Sequence, residues 1–190
     1  PYNEEEYKKD LGVKELWGEK GFTTHERIGI RPTFELNGIW GGYTGEGAKT
    51  VLPSKAYAKI STRLVPNQSS IDITEKLTRY FTESAPKSVT VKIKVFAGSE
   101  AYLISPDSKG YKAAAKALET TFGKKIIPIR EGGSLPLCYL IEHQLGIKSA
   151  LMGFGLPDDN IHGPNEKFDI ACYFKGIETI PYFYKYFAES

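Results

Sequence analysis

The chain has 190 residues, 41% of them apolar and 25% charged, which is ordinary for a globular protein with a real core in one large domain or two small ones. Its 25 basic and 23 acidic residues are interspersed and leave a formal charge of +2, so nothing supports an electrostatic nucleic-acid or polybasic membrane partner. The apolar runs fall far short of the ~20 residues that span a bilayer and no signal-like segment is visible, which favours the cytoplasm.

In chain order, the acidic stretch around Glu4, Glu5 and Glu6 predicts a short helix to Leu11, followed by loop as far as Arg31 with Trp17 as an anchor. Phe34, Leu36 and Trp40 then alternate as one face of a strand before the turn-rich residues 41–47. Residues 55–65 predict a second strand, with Ala56, Ala58, Ile60, Thr62 and Leu64 on one face and Tyr57, Lys59, Ser61 and Arg63 on the other. Ser70 or Asp72 is placed to cap a helix carrying Ile73, Leu77, Tyr80 and Phe81 on one side, with Glu75 as capping-box partner of Asp72 and Pro86 beyond the end. Val89, Val91, Ile93 and Val95 alternate as a third strand.

After about Ala97 the pattern changes to alternating helices and short apolar runs, the pattern of part of a three-layer α/β sheet. Tyr111 to Phe122 fits a helix stopped at Gly123, 126–129 a buried strand, 135–145 a helix ended by Gly146, and 150–154 another strand. The last helix, 169–187, contains Gly176 and Pro181, and the proline predicts a kink. Cys138 and Cys172 lack zinc-finger spacing and read as buried thiols. The chain opens Pro1-Tyr2-Asn3 and its one methionine is Met152, so it reads as a piece of a longer polypeptide.

Four places carry residues suited to chemistry. His162 lies in the polar loop Gly153 to Glu166, a setting that suits a metal ligand or general base and equally a solvated surface histidine. Arg130-Glu131-Gly132-Gly133-Ser134 joins a predicted strand to a helix start; it would offer backbone N–H groups and a hydroxyl to an anion or carbonyl, or else is a tight turn with Ser134 as N-cap. It lacks the lysine of a phosphate-binding loop. Arg63, at a strand end before Pro66-Asn67, is suited to bidentate capture of a carboxylate or is an ordinary solvated arginine. Thr50 has a loop hydroxyl that either contacts substrate or serves a turn. His25 and His143 are assigned no role.

Taken together and in order, four segments resemble the aminoacylase/carnosinase-type zinc metallopeptidases, in particular their bacterial dipeptidase branch. They are Gly38 to Pro53, Lys59 to Asn67, Arg130 to Ser134 and Met152 to Glu166. The resemblance covers essentially the whole chain. It implies a partial α+β lid of antiparallel sheet plus helix over residues 1–98, followed over 99–190 by the C-terminal portion of a three-layer α/β catalytic domain. It further implies two zinc ions in the intact enzyme, a short peptide or dipeptide substrate, and a homodimer formed through the lid. On the same resemblance His162 matches a metal ligand, Arg63 and Ser134 with Gly132 and Gly133 match residues that hold the substrate, and Thr50 matches a lid contact. The family's His-x-Asp metal motif, bridging Asp and adjacent Glu pair have no counterpart here. The resemblance therefore assigns no catalytic residue to this chain and implies a fragment inactive alone. An N-acyl amino acid amidohydrolase of the same family and a non-catalytic dimerisation module are the alternatives.

Overall fold

The computed structural model describes residues 3–96, 98–133 and 135–190. These contain, in order, helices α1 Glu4–Leu11 and α2 Thr24–Gly29, strands β1 Thr33–Gly41 and β2 Ala56–Arg63, and helices α3 Ser70–Glu83, α4 Lys109–Phe122, α5 Pro136–Leu145 and α6 Ile170–Glu189. The chain is thus mixed α/β, with one two-stranded antiparallel sheet among the described residues. It divides into two compact units, Pro1–Ala101 with Ile129–Ser134, and Tyr102–Pro128 with Leu135–Ser190.

In the first unit, α1 forms where expected. The Asn3 side chain accepts from the N–H groups of Glu5 and Glu6 at 3.1 and 3.3 Å, and Gly12 ends the helix in the left-handed conformation at φ 67°. Helix α2 falls in the stretch expected to be loop. Its cause is a reciprocal capping box: Glu26 N–H donates to Thr23 Oγ1, and the Glu26 carboxylate accepts from Thr23 N–H at 2.7 Å. The Thr-x-x-Glu spacing was the available signal.

Strand β1 pairs with β2 from Thr33↔Arg63 to Gly41↔Ala56, with a bulge between Leu36 and Gly38. The extra residue inverts the alternation that follows it, because side chains point to opposite faces with a period of two. Trp40 therefore leaves the face of Phe34 and Leu36 and stacks on its cross-strand partner Tyr57, ring centres 5.1 Å apart, with Lys59 also over the indole. Helix α3 lies toward the Phe34 face: the Phe34 and Phe81 rings are 6.2 Å apart, and Ile73 and Leu77 line a depression of about 220 Å³ with Phe34, Thr62 and Leu64. Its cap is Ser69, not Ser70 or Asp72. Ser70 instead donates its N–H and hydroxyl to the Glu100 carboxylate at 2.8 and 3.0 Å, and Asp72 pairs with Lys76 at 2.7 Å, one turn along. Residues 89–95 form no ladder with the described strands, and Val89, Val91, Ile93 and Val95 are all exposed.

The second unit is built on the seam between α4 and α6. Ala113, Ala114, Ala117, Thr121 and Thr179 are buried there. The two threonines satisfy their hydroxyls within their own helices, Thr121 Oγ1 donating to Ala117 O at 3.0 Å and Thr179 Oγ1 to Lys175 O at 2.7 Å. Lys175 Nζ crosses the seam to Thr121 O at 2.8 Å. Gly176 has a packing reason: a β-carbon there would meet the Phe154 ring at 3.3 Å. Helix α6 runs through Pro181 without interruption. Cys138 is buried as expected, whereas Cys172 is only half-buried. Residues 126–129 and 150–154, expected to be strands, join no ladder among the described residues, and a segment becomes a strand only beside a hydrogen-bonding neighbour. Replacing Ala117, which is fully buried, with Leu forces extra volume into the α4–α6 seam; a loss of roughly 1–3 kcal/mol in urea unfolding followed by helical circular dichroism is expected.

Candidate functional site

His162 is exposed at the tip of a loop in which only Asp159 is buried. Gly163 N–H donates to Asn160 O at 2.8 Å, closing a four-residue turn in which His162 occupies the third place with φ 62°. That position ordinarily asks for glycine or asparagine. Asn160 and Asn165 are also left-handed, at φ 56° and 59°. The Asn160 amide donates to Pro164 O across the turn, and a β-carbon on Gly163 would come within 2.7 Å of Asn160 Oδ1, so a larger residue there would displace that amide. A non-glycine residue held left-handed depends on its surroundings to keep that backbone.

The acidic residues beside His162 are already engaged. Lys167 Nζ lies 2.9 Å from Asp158 Oδ2 and 3.3 Å from Asp159 Oδ1. The hydrogen bond and charge of that ammonium hold the Asp158 carboxyl below its usual range, and Asp158 in turn raises Lys167. Among the described residues no group of three or more His, Cys, Asp or Glu side chains is placed to hold a metal ion. These residues therefore do not fit a metal site by themselves: His162 offers one nitrogen of the right chemistry, and catalytic zinc takes three protein ligands.

In the first unit the structure brings Arg63 and Gly132 together. Arg63 Nε donates to Glu35 Oε1 at 3.3 Å and its Nη1 to the Gly132 carbonyl. Glu35 also accepts from Thr33 Oγ1 at 3.0 Å and Ser61 Oγ at 3.1 Å, so the polar face of the sheet is a hydrogen-bonded cluster around one carboxylate. Partial burial pushes Glu35 up, but the bonds from Thr33 and Ser61 and the Arg63 charge outweigh it, and the carboxyl lies below its ordinary value. Gly132 is docked on α2: a β-carbon there would strike Ile28 O at 2.6 Å, and one on Gly29 would strike Arg130 O at 2.3 Å. Two glycines thus let two backbones meet, which no side chain at either place would permit. Gly133 is exposed, Thr50 is exposed on the β1–β2 connection, and Ser134 lies outside the described residues. Ser61 was placed on the Arg63 face from the sequence, but Glu35 and Thr33 were not, because their position opposite Ser61 and Arg63 became visible only with the strand register.

With this geometry in hand, the description "Peptidase family M20/M25/M40" matches residues 2–185. The chain belongs to that family. Among relatives, it is 36% identical over 151 residues to the Cys-Gly metallodipeptidase of Schizosaccharomyces pombe, covering 77% of this chain and 32% of that protein. It is 27% identical over 187 residues to the Beta-Ala-His dipeptidase of Homo sapiens, covering 95% of this chain and 36% of that protein. Among solved structures, an M20 family metallo-carboxypeptidase from Sulfolobus solfataricus superposes with a TM-score of 0.86 at 30% identity, over 100% of this chain and 43% of that one. The chain thus spans about a third of the length of the curated relatives it matches.

Two outcomes follow from the M20 chain's own residues. His162→Gly removes the left-handed strain while relaxing the unfolded chain, and a gain of roughly 0.5–1 kcal/mol in chemical denaturation is expected, where a core or hydrogen-bonding histidine would give a loss. For Glu35 the folded value lies below the unfolded one, 4.5, so its stabilisation is present above pH 4.5 and is lost as pH falls through the folded value. Acid unfolding followed by tryptophan fluorescence, which reports on the first unit through Trp17 and Trp40, is expected to be shallower below pH 4.5 in Glu35→Gln than in the parent.

Proposed function

We propose that this chain is part of a metal-dependent dipeptidase that hydrolyses short peptides, and that it is inactive alone. The observation that carries the reading is His162, held left-handed and exposed at the tip of an anchored loop in a member of the M20 family. The names of the relatives supply the substrate class, since the Cys-Gly and Beta-Ala-His enzymes are both dipeptidases. On this reading His162 gives one ligand to a zinc site completed by residues outside this chain, and no catalytic residue lies within it.

Arg63 binds the substrate carboxylate in this scheme, with Thr50, Ser134 and the Gly132-Gly133 backbone contacting the rest of the peptide. The Glu35 carboxylate then occupies the place of the substrate's own, because both seek the same planar guanidinium. Residues 1–98 act as the later part of a lid that also forms a homodimer, and 99–190 as the end of the catalytic domain. A reducing cytoplasm accords with Cys138 and Cys172 both being free thiols.

The test compares the 190-residue chain with the family-length polypeptide that contains it, both loaded with zinc and assayed on Cys-Gly and β-Ala-His. The long form is expected to turn over one or both substrates and the short form neither. In the long form, His162→Ala is expected to weaken zinc binding by more than the roughly 10–100-fold that losing an outer-shell partner costs. Turnover by the 190-residue chain free of longer contaminant, or undiminished activity in His162→Ala, overturns the reading.

A further inference from the structure

The loop that carries His162 contains the one buried carboxylate among the described residues, Asp159, which is 1% exposed. A carboxylate three places from a metal-ligating histidine invites assignment as a second ligand. The geometry points elsewhere. All four polar groups of Asp159 are spent inside the loop: its N–H donates to Leu156 O at 3.1 Å, its carbonyl accepts from Lys167 N–H at 2.9 Å, Oδ2 accepts from Leu156 N–H at 2.7 Å and Oδ1 accepts from Lys167 Nζ at 3.3 Å. Leu156 and Lys167 are the two feet of the loop, so this single residue bonds each foot twice, once through its backbone and once through its side chain. Gly155 leaves the room, since a β-carbon there would sit 3.3 Å from Asp159 Oδ2.

Between those feet lie three of the four left-handed non-glycine residues among those described, Asn160, His162 and Asn165. Each is disfavoured alone and persists only where its surroundings over-determine the backbone. The bonds that hold the feet are the ones made by Asp159, and burial strengthens them by excluding water from the carboxylate. We propose that Asp159 is a positioning residue, not a ligand: by clamping Leu156 to Lys167 it fixes the left-handed turn that presents the His162 imidazole. The use of that imidazole as a ligand rests on the function proposed above; the clamp itself does not.

The experiment is nuclear magnetic resonance on the isotopically labelled 190-residue chain without metal, reading the Cα and Cβ shifts and backbone order parameter of His162. In the parent protein His162 is expected to show left-handed shifts and an order parameter near the ~0.85 of rigid backbone. Asp159→Ala is expected to lose the left-handed shifts and to drop His162 below about 0.6, with α4 and α6 resonances unmoved. Asp159→Asn keeps an acceptor for Leu156 N–H and is expected to restore most of the order, and Lys167→Met, which removes the Oδ1 partner of Asp159 together with the ion pair to Asp158, to fall between. A His162 that keeps its shifts and order in both Asp159→Ala and Lys167→Met overturns the proposal. Should Asp159→Ala unfold the second unit, Lys167→Met decides alone, and an unmoved His162 in that variant overturns it. Because no metal enters this readout, an active His162→Ala long form would defeat the ligand reading and leave the clamp standing, while a rigid His162 in these variants would do the reverse.

Discussion

The closeness of α4 to α6 is the constraint on which the second unit depends. Three alanines and two threonines at the seam leave so little between the helices that no large side chain is fully buried there. Such contact is feasible because both threonine hydroxyls turn back to carbonyls one turn earlier and bring no unmet polar group into the interface. The missing side chain of Gly176 leaves room for the Phe154 ring, which also stacks on Phe122 with ring centres 6.4 Å apart. Phe154 lies at the start of the loop that carries His162, so the anchorage of that loop begins in helix packing. Lysines over aromatic rings, Lys116 on Tyr186 and Lys109 on Phe187, close the outer side of the seam.

The two places with chemistry are held by opposite means. Around Arg63 the bonds are partly exposed and made among Thr33, Glu35 and Ser61, a cluster in which a carboxylate of another molecule can compete for the guanidinium. Around His162 the restraint is a buried carboxylate with every oxygen in use, which no solute reaches. One arrangement suits exchange and the other suits permanence, which accords with the roles proposed above for Arg63 and His162.

Helices were legible in the sequence because their determinants are local. Asn3 and Gly12 bracket α1, Gly123 and Gly146 end α4 and α5, and the apolar period of α3 was visible from Ile73 to Phe81. Even α2 had a local signature in Thr23 and Glu26, overlooked because the helix is only six residues long. Strands were legible only in part, because a ladder depends on a neighbour that the strand's own residues do not name. Residues 89–95 have strand alternation and no described partner, and the bulge after Leu36 that moved Trp40 across the sheet has no sequence mark beyond Asn37-Gly38. At the sites, the residue types of His162 and Arg63 were enough to single them out. What each is bonded to was not, because Glu35 lies far from Arg63 along the chain, and Asp159 looked no different from Asp158.

The division of the chain into interleaved units has a bearing on how such proteins are inherited and dissected. The polypeptide passes from the first unit to the second after Ala101, returns for Ile129–Ser134, and leaves again. The returning stretch is not ornamental: it supplies the carbonyl that Arg63 grips and the backbone on which Gly29 rests. A gene segment ending at residue 101 would therefore encode the first unit with a missing wall. The unit is a piece of architecture without being a cassette, and exchange of it between relatives would have to carry a short, distant stretch of sequence along with it.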